Sequence, residues 1–70
     1  MKDLVKPTIS GEPYDPTKCV RIADRYQMFL YVKHGVYPVD MYVKGDDMVM
    51  VFDKESTREL YELWRQHRLS

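Results

Sequence analysis

The chain carries no net charge: 11 lysines and arginines balance 11 aspartates and glutamates over 70 residues. It therefore lacks the excess positive charge on which general nucleic-acid and anionic-membrane binders depend. It has one cysteine, Cys19, so an intrachain disulfide is excluded. A zinc site needs about four ligands, and Cys19, His34 and His67 are too few and too scattered to supply them. The three glycines, Gly11, Gly35 and Gly45, are isolated, so there is no phosphate-cradling loop. Asp46 and Asp47 are neighbours, but the alternating aspartates of a calcium loop are missing. No run approaches the ~18 apolar residues of a membrane span. The first residues lack the apolar stretch of a signal peptide. A lone cysteine fits a reducing compartment, and a cytoplasmic location is the expectation.

What is present defines a folded domain. Hydrophobic residues make up 44% and charged residues 31%, which is the composition of a globular chain and not of a disordered one. The length allows one domain. A domain of this size buries only roughly 60% of the surface its unfolded chain exposes. With neither disulfide nor metal to compensate, a tight core or a second chain has to supply the stability.

Residues 1–18 hold Pro7, Pro13 and Pro16 together with Gly11. Proline fixes φ and removes a donor, so this stretch reads as an arm. Leu4, Val5, Ile9 and Tyr14 are its candidate anchors. The folded domain then covers residues 19–70. Cys19–Ile22 is a short strand candidate. Residues 23–34 turn helical, with Ile22, Tyr26, Phe29 and Leu30 on one face as the expected core stripe. Gly35 sits where a left-handed residue ends a helix. Met28, Tyr31 and Val32 are apolar as well and point off that stripe, so this helix has more apolar surface than one small core needs.

A hairpin follows. Val39, Met41 and Val43 alternate with Asp40, Tyr42 and Lys44, and Met48, Met50 and Phe52 alternate with Val49, Val51 and Asp53 after a loop that is either Gly45-Asp46 or Lys44 to Asp47. The register sets Val43 against Met48, Met41 against Met50 and Val39 against Phe52, and these six residues form the expected core face. The opposite face carries Asp40, Tyr42, Val49 and Val51. It is half apolar, so incomplete solvation is expected there too. The last helix begins near Asp53 or Ser56, since Ser56-Thr57-Arg58-Glu59 matches a capping box and Asp53 competes with it. Leu60, Leu63, Trp64 and His67 form its stripe. The predicted fold class is α+β, a small β-α-β-β-α arrangement with an antiparallel hairpin-based sheet and two helices packed on one face.

Little in the chain suggests catalysis. Cys19 and His34 match no nucleophile signature, and no third group is evident to orient them. No enzymatic activity, cofactor, metal or small-molecule substrate is expected. The six tyrosines point instead to protein contacts, because Tyr buries a large ring and keeps a polar end. Met28, Tyr31, Val32, Tyr37 and Tyr42 are the expected anchors for a partner protein or for a second copy in a homodimer. The alternative is a nucleic-acid-binding regulator using Lys18, Arg21, Arg25, Lys33 and Arg65. It draws only on a mild asymmetry, six bases against four acids in residues 1–35 and five against seven in residues 36–70. Nucleic acid is the less favoured partner.

The stretches Tyr31-Val32-Lys33-His34-Gly35-Val36-Tyr37-Pro38-Val39-Asp40, Met50-Val51-Phe52-Asp53-Lys54-Glu55 and Leu60-Tyr61-Glu62-Leu63-Trp64 carry a resemblance. Together they resemble short proteins of Firmicutes phages and prophages known only as a domain of unknown function. The resemblance covers roughly residues 19–69 and leaves out the proline-rich arm. It implies a mobile-element origin and the same order of elements. It implies no catalytic residue and no activity.

Overall fold

A computed structural model describes residues 13–70. The expected anchors Leu4, Val5 and Ile9 lie outside the described residues. Tyr14 is tied down: its hydroxyl donates to Asp40 Oδ2 at 2.9 Å. Asp15 then caps a single 3-10 turn, Pro16–Lys18, accepting from the Thr17 amide at 2.9 Å.

The fold is α+β. Strand β1 (Cys19–Ile22) is followed by helix α1 (Arg25–Lys33), strands β2 (Asp40–Lys44) and β3 (Asp47–Asp53), and helix α2 (Lys54–Arg65). The sheet is antiparallel with order β1-β3-β2. β3 is central because it is the longest strand and can pair on both sides. Val20 opposes Phe52 and Ile22 opposes Met50. Across the hairpin, Met41 opposes Met50 and Val43 opposes Met48, as the alternation predicts. Gly45 has φ +63° at the first position of the two-residue turn, the geometry of a type II′ hairpin. Val39 departs from the simple register. Its N–H donates to the Val51 carbonyl at 2.8 Å while Asp40 is the paired partner of Val51. Two consecutive residues thus address one, as in a β-bulge.

The core lies between the sheet and both helices. Ile22, Met28, Leu30, Tyr31, Phe52 and Leu69 form it, with Val20, Val32, Met50, Leu60 and Trp64 packed against it. Tyr31 and Phe52 are fully buried and meet edge to face with ring centroids 5.2 Å apart, an arrangement worth about 0.5–1.5 kcal/mol beyond burial.

Two expectations need correction. The core stripe of α1 is Met28, Leu30 and Tyr31, whereas Tyr26 and Phe29 are 57% and 59% exposed. The five consecutive apolar residues 28–32 offer more than one inward face. The face that wins places Tyr31 against Phe52. The hairpin's core face also stops short. Phe52 is buried and Met50 half-buried, but Val43 is 66% exposed and Met48 is exposed as well. These two lie at the turn end of β2 and β3, beyond the residues of β3 that β1 covers. On the opposite face Val49, Val51 and Asp40 are all buried. Incomplete solvation of that face was the right expectation.

Both helices are capped as their sequences allow. Asp24 accepts from the Gln27 amide at 2.9 Å. Asp53, not Ser56, caps α2, accepting from the Ser56 amide at 3.1 Å. Each such cap contributes about 1 kcal/mol. α1 ends with Gly35 at φ +85° and a Val36 N–H to Tyr31 carbonyl bond of 3.0 Å. α2 ends the same way, with Arg68 N–H to the Leu63 carbonyl at 2.8 Å, but its left-handed residue is His67 at φ +58°. The turn sends the chain back so that Leu69 is buried. Ser70 then meets the end of α1, where its carbonyl oxygen lies 2.9 Å from His34 Nε2.

Candidate functional site

Two surfaces stand out. The first is aromatic. Tyr26 and Phe29 project from the solvent side of α1 and stack at 6.4 Å, with an interplanar angle of 15°. Tyr26 also leans on Trp64 of α2, centroid to centroid 5.9 Å at 56°. The result is a half-exposed strip of three rings across both helices. Such a strip on a small domain marks a binding surface more often than scattered single apolar residues do.

The second is a groove of about 760 Å³ beside β1. One wall is the run of residues 20–24. The other is the N-terminal half of α2, where Lys54, Thr57, Arg58 and Tyr61 face it at helical spacing. Gln27 and Tyr31 of α1 form its floor. Gln27 Nε2 donates to Tyr31 Oη at 3.0 Å. Burial pushes the Tyr31 hydroxyl pKa up, against a smaller opposing effect of the Gln27 bond. Thr57, also buried, donates back to the Asp53 and Lys54 carbonyls at 3.2 Å, which leaves its oxygen lone pairs as acceptors.

The sequence-expected anchors fall in different places. Met28 and Tyr31 are buried in the core, and Val32 is half-buried against it. A buried side chain offers no surface to a partner, so Met28 and Tyr31 stabilise the fold, and Val32 supports it from the edge of the core. Tyr37 is well exposed in the loop before β2 and Tyr42 is half-buried on β2. The aromatic strip was missed as a site because Tyr26 and Phe29 were placed in the core. Its signal was present in the surplus of apolar residues on one short helix.

The basic residues are spread. Lys18 lies in the 3-10 turn, Arg21 in β1, Arg25 and Lys33 at opposite ends of α1, and Arg65 at the end of α2. All are exposed, and Arg65 lies 3.9 Å from Glu62. Arg58 pairs with Glu55 one turn before it on α2.

Cys19 and His34 have separate neighbourhoods. Cys19 sits half-buried opposite Asp53 in the sheet, and His34 meets Ser70. Burial, reinforced by the negative charges of Asp53 and Asp15, pushes the Cys19 thiol pKa up, the opposite of what activates a nucleophile. Among the described residues no group of three or more His, Cys, Asp or Glu is placed to hold a metal ion. No helix among them is long and apolar enough to cross a membrane. Comparison with protein-family models, curated proteins and solved structures finds no match.

Proposed function

We propose that this chain is a small non-enzymatic protein-binding module that pairs with a second copy of itself through the aromatic strip on α1 and α2. The observation that carries this reading is the exposure of Phe29, 59%, with Tyr26 stacked on it. An exposed phenylalanine held in a ring stack loses water-accessible apolar area when a second surface covers it, at about 25 cal/mol per Å². Tyr and Trp beside it match the residues enriched at interface centres. A neutral chain adds no long-range repulsion between copies. The half-buried Cys19 is compatible with a reducing, cytoplasmic setting. The phage resemblance extends the proposal to a host-directed inhibitor, an anti-defence factor or an accessory of a larger assembly.

A dilution series followed by amide chemical shifts tests this. The expected outcome is concentration-dependent shifts centred on Tyr26, Phe29 and Trp64, with residues of β2 unmoved. Shifts absent at every concentration would refute self-pairing.

A further inference from the structure

The groove beside β1 has a second use, and it does not depend on the aromatic strip. Side chains of a strand alternate between faces, so consecutive residues line one groove only through the strand's edge. Val20, Arg21 and Ile22 of β1 all line it, as do Ala23 and Asp24 on the way into α1. Val20 and Ile22 face the core, and Arg21 between them points to the other side. The wall is therefore the backbone edge of β1. In the sheet order β1-β3-β2, that edge has no partner strand among the described residues. An open strand edge running beside a helix is the geometry in which an extended peptide adds a strand.

The charges name the occupant's chemistry. The ion pairs among the described residues are Arg58–Glu55 and Arg65–Glu62. Arg21 and Lys54, both exposed, are engaged in neither, and among the described residues Lys54 Nζ donates to the Thr17 carbonyl at 3.1 Å. The groove's own carboxylates are occupied: Asp24 caps α1 and Glu62 faces Arg65. We infer that the groove between β1 and α2 binds an extended peptide segment of a partner protein. The segment pairs with the edge of β1, lays an apolar side chain between Ile22 and Tyr61, and sets acidic side chains on its two faces, one beside Arg21 and one beside Lys54.

The test begins with a displayed library of short random peptides, selected on the intact chain. The enriched peptides are expected to alternate apolar residues and to carry an acid. Their largest amide shifts should fall on residues 20–24 and on Lys54 and Tyr61. Binding should weaken about tenfold or more, the equivalent of losing one or two good hydrogen bonds, when alternate peptide nitrogens are methylated. The exposed double variant Arg21→Glu/Lys54→Glu should show a similar loss with an unchanged melting curve. Repeating the titration on Phe29→Glu separates the two surfaces, because the groove should bind peptide whether or not the chain self-pairs. No enrichment, tolerance of nitrogen methylation, or shifts confined to Tyr26 and Phe29 would each overturn the inference. So would displacement of the peptide by a single-stranded oligonucleotide at comparable concentration.

Discussion

The two helices were built from different kinds of sequence, and they do different work. α2 keeps Glu55, Arg58 and Glu62 exposed on one side and packs Leu60 and Trp64 against the core on the other, with Thr57 buried beside them and Tyr61 and Leu63 exposed on its flanks. α1 is apolar nearly all round. It buries Met28, Leu30 and Tyr31, and still has Tyr26 and Phe29 left over on the outside. A segregated helix has one place to go. An unsegregated one can bury a single face of a small domain, and the remainder becomes surface with an energetic reason to be covered.

That comparison breaks most visibly at the core. Phe52→Ala or Tyr31→Ala should cost about 3–5 kcal/mol in chemical denaturation, the range for buried aromatics. Phe29→Ala, on the same helix as Tyr31, should cost less than about 1 kcal/mol, as surface substitutions do. Equal losses at Tyr31 and Phe29 would mean that α1 has no outer face. Next come the caps. Asp24→Ala and Asp53→Ala should each destabilise by about 1 kcal/mol in the same assay, since each removes the acceptor for a first-turn amide. A smaller gain is expected at His67. A side chain at φ +58° is strained, and His67→Gly should raise the melting stability by up to about 1 kcal/mol.

Alkaline pH probes the buried hydroxyls and the thiol. Tyr31, Tyr14 and Cys19 all have pKa values raised first by burial. Each is held neutral in the fold, whereas the unfolded chain ionises at its ordinary value. Their contribution is complete below those ordinary values, about 8.5 for a thiol and about 10 for tyrosine. It is lost as pH rises through the raised ones. Stability measured by urea titration should therefore fall above about pH 9, and a Tyr31→Phe variant should fall less steeply.

Much of the fold was legible because local and long-range signals agreed. Gly45-Asp46 with flanking alternation fixed the hairpin register, and Gly35 marked the end of α1. Cys19–Ile22, only four residues long, was still readable as a strand. The orientation of α1 was not legible. Tyr26/Phe29/Leu30 and Met28/Leu30/Tyr31 are equally good stripes, and only the tertiary contact of Tyr31 with Phe52 decides between them. The hairpin's exposed tip was hidden for a related reason, since alternation reports which face a residue takes and says nothing of where the covering helices end. Leu69 was missed because it lies beyond α2 and is buried only by the turn at His67. The groove was invisible in the sequence because Thr57 and Tyr61 meet residues 20–24 only across the fold.

The central claim is that the outer face of α1 is a pairing surface. Sedimentation velocity over a wide concentration range, on the wild type and on Phe29→Glu, tests it most directly. The account expects a concentration-dependent dimer for the wild type and a monomer for Phe29→Glu, with the same thermal melting for both at a concentration where the wild type is monomeric. A wild type that stays monomeric at millimolar concentration, or a Phe29→Glu chain that dimerises equally well, would contradict it.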